Sequence, residues 1–123
     1  MIRIKRVFEK RADSDGYRVL VDRQWPLGVR KEAADLYLWA KELAPSEELR
    51  EFYRHDPRRW NAFRQRLREE LKSAAALATL EKLAELAKTG TVTLVFGSRE
   101  PVRNNATVVM ELLRSGRVNP GAA

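Results

Sequence analysis

Ile2, Ile4 and Phe8 alternate with Arg3, Lys5 and Lys10, the period-two pattern of a half-buried first strand. "RADSDG" carries turn chemistry, and Tyr17 to Val21 is a short apolar run that fits a more interior strand. In "VDRQWPLG", Pro26 turns its predecessor away from helical geometry and Gly28 permits a positive φ, so a shaped loop is expected. The next stretch supports two readings. Either a short helix covers Lys31–Ala34 with Leu36–Leu38 extended, or one helix runs from Lys31 to Leu43; Pro45 stops both. Ser46 followed by Glu47 and Glu48 predicts a capped helix reaching Tyr53. Asp56 and Pro57 then read as the N-cap and first position of another. Trp60, Phe63, Leu67 and Leu71 recur at spacings of three, four and four, one apolar stripe on a charged rod. Leu77, Leu80, Leu83 and Leu86 mark a helix from Ala74 to Lys88, ended by Gly90. "TVTLVF", Thr91 to Phe96, is β-branched and apolar, as a buried central strand requires. Ala106, Val109, Met110 and Leu113 form a last helical stripe, closed by Gly116.

The order strand, strand, helices, strand, helix predicts an α/β fold: a small open, partly parallel sheet with helices packed on its faces. One domain is expected over residues 1–117, followed by a frayed tail over 118–123. In open α/β sheets the ligand crevice lies beyond the carboxyl ends of the strands. Two chemically loaded loops follow strand ends here, "DRQWPLG" after Val21 and "GSREPVRNN" after Phe96.

Composition narrows the chemistry. The 123 residues are 44% hydrophobic and 33% charged, a globular profile. The chain has no cysteine, which removes disulfides, thiolate catalysis and cysteine-ligated zinc. "MIRIKRVFEK" lacks a signal-peptide h-region and no apolar run is long enough to span a bilayer, so a cytoplasmic protein without a membrane partner is expected. The net charge of +7 favours an anionic partner, either a phosphorylated or nucleotide-like small molecule or a nucleic acid. Residues 1–31 hold nine Lys/Arg against four acids, whereas residues 46–72 hold eight against six. The excess therefore sits in the first third.

Asp22 and Arg23 can act together, the guanidinium clamping a phosphate or carboxylate and the acid accepting a proton, or can form a salt bridge that locks the loop. Trp25 can stack on a ring or anchor the loop by packing. His55, the single histidine, is a candidate acid/base or a hydrogen-bonding group at a helix break. Lys41 is a further candidate for proton transfer. Ser98 and Arg99 place a hydroxyl and a guanidinium at a strand mouth. Asn104 and Asn105 precede the last helix, where an Asn caps and free N–H groups can hold an anion. No glycine-rich phosphate loop or Ser/His/Asp signature is present, no metal site is recognisable, and no cofactor is expected.

"VDRQWPLG", "WAKELAPS", "HDPRRWNAFRQRLREEL" and a late strand followed by "NNA" together resemble the YeaO-like branch of the domain-of-unknown-function family 488. The resemblance covers nearly the whole chain. It points to Asp22, Arg23, Trp25, Pro26 and Gly28; to Trp39, Lys41, Pro45 and Ser46; to His55, Asp56, Pro57 and Trp60; and to Asn104 and Ala106. Two positions depart from the pattern: Leu27 stands where an arginine is usual, and Arg103 where a histidine precedes the Asn. Arg103 keeps a positive charge but cannot carry a proton near neutral pH. The resemblance implies an α/β fold and a bacterial or archaeal cytosolic protein. The reading that follows is an anion-binding crevice in which Arg23, Ser98, Arg99, Arg103 and Asn104 meet the ligand and Trp25 walls the pocket. Asp22, Lys41 or His55 supply any proton transfer. The alternatives are a nucleic-acid-binding accessory protein using the basic first third, or a non-catalytic structural or regulatory subunit.

Overall fold

Four strands, β1 (Ile2–Arg6), β2 (Tyr17–Leu20), β3 (Leu38–Trp39) and β4 (Val92–Phe96), form one sheet in the order β1-β4-β2-β3. The structure, a computed structural model, describes residues 1–54 and 56–116, so the tail expected over 118–123 lies outside the described residues. Every strand pair is parallel, so the partial parallelism expected from the sequence is complete here. Val92 of β4 pairs with Ile2 on one side and Tyr17 on the other. A central strand with both faces of the sheet covered has all five residues buried, which is why that segment reads as an almost uniformly apolar run.

The two faces of the sheet are covered unequally. Val19, Val21, Val92, Leu94 and Phe96 point into the main core. That core is closed by α2 (Glu47–Tyr53), α3 (Trp60–Glu70), α4 (Ala74–Thr89) and α5 (Asn105–Ser115). The opposite face is covered by the short helix α1 (Lys31–Ala34) and its flanking loop, packing Trp25, Val29, Leu36 and Trp39 over Val7, Leu20 and Val95. Of the two readings of residues 31–43, the short helix followed by an extended segment is the one found. Asp35 ends α1 at a φ of 45°, and Trp39 then pairs with Leu20. Gly90 ends α4 in extended backbone (φ −167°) rather than in a left-handed cap.

Most helix starts follow the expected capping chemistry. Ser46, Ser73 and Asn104 each accept a backbone N–H from the third residue beyond. Asp56 instead caps a single 3₁₀ turn, Pro57–Arg59, which leads into α3.

The second face of the sheet carries a buried ionic cluster at its amino end. Asp15 is 1% exposed and Arg18 2%. The Arg18 guanidinium donates to Asp15 Oδ2 at 2.7 Å and to the Ala34 carbonyl at 2.7 Å. Lys5 Nζ reaches both Asp15 oxygens at 3.0 and 3.1 Å, and Arg3 approaches at 3.4 Å. Three cations of the basic first third thus converge on one acid. Burial acts to raise the Asp15 pKa, but the Ala12 N–H and the Lys5 and Arg18 hydrogen bonds outweigh it and hold the carboxyl below its ordinary value. The stability Asp15 contributes is therefore present above the unfolded-state value of about 3.9 and is lost as pH falls through the lower folded-state value. Asp15→Ala leaves Arg18 buried without its acid and should cost about 3–5 kcal/mol in urea denaturation at neutral pH. A loss under 1 kcal/mol would contradict the assigned role.

Candidate functional site

Because all strands run the same way, the segments after β1, β2 and β4 open at one end of the sheet. There they bound a cleft of about 600 Å³, within the range of ligand pockets. Its lining combines Arg6 at the end of β1 and Phe8 beyond it with the whole stretch Asp22–Leu27 after β2 and Gly97–Arg99 after β4. Pro45 before α2, Arg50 and Tyr53 within it and Arg54 just after it contribute from the side, as do Asn104 and Asn105 at the start of α5.

Asp22 is the centre of this arrangement. Its Oδ2 accepts the Gly97 N–H at 2.8 Å and its Oδ1 accepts Asn105 Nδ2 at 3.1 Å. Asn105 Nδ2 also donates to the Val21 carbonyl at 2.9 Å, and Trp39 Nε1 donates to the Asp22 carbonyl at 2.7 Å. One side chain therefore ties the end of β2 to the end of β4 and to the first turn of α5. Glycine at 97 permits that approach, since a Cβ there would lie 3.1 Å from Asp22 Oδ2. Burial pushes the Asp22 carboxyl above its ordinary value, against the lowering effect of Asn105, the Gly97 N–H and the nearby Arg50 charge.

Five arginines line the cleft: Arg6, Arg23, Arg50, Arg54 and Arg99. Asp22 is the one carboxylate among the described lining residues. Arg54 is paired with Glu51, and Arg50 stands 4.0 Å from Glu47. Arg6 Nε donates to the Ser98 carbonyl at 3.0 Å, and Arg23 makes two long contacts of 3.4 Å to the Pro45 carbonyl. These contacts engage the guanidinium groups with neutral carbonyls, so neither charge is paired with an acid among the described residues. A surplus of positive charge therefore remains at this end of the sheet, carried by Arg6, Arg23 and Arg99.

The other sequence candidates divide. Trp25 lines the cleft, but its Nε1 donates to the Val29 carbonyl at 2.8 Å and its ring meets Trp39 edge-on at 5.4 Å. It anchors its own loop while offering a wall. Ser98 lines the cleft with its hydroxyl accepting the Glu100 N–H at 3.1 Å. Asn104 is buried and engaged in structure: its side chain accepts from Thr107 N and donates to the Glu100 carbonyl. Arg103 is exposed and absent from the lining; its carbonyl accepts the Tyr53 hydroxyl at 2.7 Å. Lys41 is also outside the lining, with Nζ 4.1 Å from the Trp39 ring centre. His55 lies outside the described residues. Leu27 is 93% exposed at the cleft rim.

Sequence reasoning did not single out Arg6, Arg50, Arg54 or Tyr53, and it treated Asn105 only as a capping neighbour. For Arg50 and Arg54 the signal was available in retrospect, since a spacing of four on a helix places both on one face.

Residues 1–118 match the family DUF488-N3i, the inactive DUF488-N3 subclade. The chain belongs to this family. Its relatives include the uncharacterized protein Rv3073c of Mycobacterium tuberculosis, 46% identical over 112 residues, covering 91% of this chain and 92% of the relative. A Mycobacterium bovis protein matches with the same figures. The uncharacterized protein YeaO of Escherichia coli is 37% identical over 114 residues, covering 93% of this chain and 97% of YeaO. No solved structure gives a significant match. The resemblance to the YeaO-like branch of family 488 is thus established over nearly the full length. Among the described residues no helix is long and apolar enough to cross a membrane, and no cluster of three potential metal ligands occurs.

The carboxyl groups should titrate in a fixed order. Hydrogen bonds from Arg58 hold Asp56 below its ordinary value, and Asp15 is also lowered, whereas Asp22 is raised. A raised value means that ionising Asp22 costs more in the folded chain, so stability from this group is greatest at low pH and declines as pH rises through its folded-state value. Side-chain carboxyl NMR shifts followed against pH should show Asp22 titrating last of the three. Asn105→Ala, which removes one donor to the carboxylate, should move that midpoint further up; a downward move would refute the geometry.

Proposed function

We propose that the cleft binds a phosphorylated or nucleotide-like small molecule, with Arg23 and Arg99 as the principal anion contacts. The observation that carries this reading is a ligand-sized cleft lined by five arginines and one carboxylate, in which Arg6, Arg23 and Arg99 have no acid paired with them among the described residues. Bringing like charges together costs free energy, and an anion placed among them recovers it through charge-assisted hydrogen bonds. The position supports the same reading, because open parallel sheets bind ligands beyond their strand carboxyl ends. Phe8, Trp25, Pro26 and Leu27 supply apolar surface beside the cations, which suits a ligand carrying more than a bare anion. The description of the family as an inactive subclade supports binding without turnover.

A nucleic-acid role resting on the first thirty residues draws less support. Arg3, Lys5 and Arg18 are directed at Asp15, and Arg11 pairs with Asp13 and Asp35. Of the cations that remain in that segment, Arg6 and Arg23 line the cleft.

A thermal-shift screen with nucleotides and phosphosugars should reveal at least one stabilising compound, and Arg23→Ala should abolish the shift. The position facing solvent at the rim gives a converse check. Leu27→Arg adds a sixth guanidinium at a site that is 93% exposed, so the free protein should keep its stability within about 0.5 kcal/mol while ligand affinity rises. No stabilising compound, or a shift indifferent to Arg23, would end this reading.

A further inference from the structure

Asp22 poses a problem for a cleft that binds anions. Its carboxylate repels a phosphate, yet it is the one acid in the described lining and stands among five arginines. Tying the loops together accounts for part of its bonding. A carboxylate offers about four lone-pair sites, and Gly97 N–H and Asn105 Nδ2 occupy one on each oxygen. The remaining sites belong to a group that lines the cleft. When a ligand displaces water there, they lose their partners unless the ligand supplies a hydrogen.

Resting on the reading above, we infer that the ligand is a phosphate ester of a hydroxylated compound, with one hydroxyl donating to Asp22 while the phosphate lies among the arginines. The charge balance selects the donor. An ammonium group would satisfy Asp22 but would be repelled by the surrounding guanidinium groups. A ring amino group is neutral but only donates, and an amide carries its acceptor on a different atom from its N–H. A hydroxyl is neutral and does both on one atom, donating to the carboxylate while accepting from an arginine of the cleft such as Arg23. A site built this way discriminates strongly, because a ligand lacking the hydroxyl leaves a desolvated carboxylate unpaired. Asp22 thus sets specificity and the arginines set affinity.

Matched ligands separate the two claims without any variant. Binding of inorganic phosphate, propyl phosphate, glycerol 3-phosphate and ribose 5-phosphate to the wild-type chain is measured by titration calorimetry. Glycerol 3-phosphate has the phosphate and chain length of propyl phosphate plus two hydroxyls, and should bind at least about tenfold tighter, the scale of one charge-assisted hydrogen bond. Ribose 5-phosphate should match or exceed it. Asp22→Asn should bring the glycerol to propyl ratio close to one, while Arg23→Ala should weaken both compounds alike. Equal binding of the two esters, with both lost in Arg23→Ala, overturns the hydroxyl inference and leaves the anion reading standing. A preference that survives in Asp22→Asn also overturns it. Failure of every phosphate compound to bind overturns both.

Discussion

The carboxylate of Asp22 is the constraint on which the working end of this protein depends. Three segments arrive there from distant parts of the chain: the end of β2, the end of β4 and the first turn of α5. Parallel strands share no hairpin, so nothing local holds their ends in register beyond the last ladder bond. Asp22 provides that hold by accepting from Gly97 on one side and Asn105 on the other. Trp39 fixes the backbone of the same residue through its carbonyl, which links the β3 edge to the arrangement. The cleft is consequently a product of cross-links rather than of one loop, and its shape is set before any ligand arrives.

Charge is arranged in two different ways at the two ends of the sheet. At the amino end, Arg3, Lys5 and Arg18 surround a buried acid, and the cluster serves the fold. At the carboxyl end, the described lining residues of the cleft include five arginines and one acid, and two of the arginines, Arg23 and Arg99, extend from exposed loop positions. Net charge sums over both ends and so cannot separate them. The distinction rests on burial: a cation within reach of a buried carboxylate is spent on stability, whereas one left in a cleft remains able to attract an anion.

Several family motifs prove to be largely architectural. Ser46 caps α2 and also donates to Glu70 at 2.5 Å, and Asp56 caps the turn before α3. Trp60 stacks against Phe63 and lies close to Tyr53, consolidating the contact between α2 and α3. Lys41 lies over Trp39 rather than in the cleft. By contrast, "VDRQWPLG" contributes lining residues from Asp22 through Leu27, and both asparagines of "NNA" line the same cleft. The departures from the family pattern fall in two environments: Leu27 at the rim, where an arginine would add to the cationic lining, and Arg103 outside it.

Elements with strong local signals are legible along the chain alone. The stripe from Trp60 to Leu71, the apolar run of β4 and the caps at Ser46 and Asn104 are periodicity and capping chemistry, which act over a few residues. The sequence also located the two loops at strand ends, because strand order and loop composition lie along the chain. The extent of α1 could not be read this way: residues 31–43 satisfy two patterns, and pairing of Trp39 with β2 decides between them. Nor could the fate of the charges. Whether Arg18 is buried on Asp15, Asn105 directed at Asp22, or Arg6 brought beside Ser98 depends on contacts spanning 3, 83 and 92 residues. Even the shortest of these needs the sheet to seal it from water. Local pattern specifies which segments form; only their packing fixes which polar groups are consumed by the fold and which are left facing the cleft.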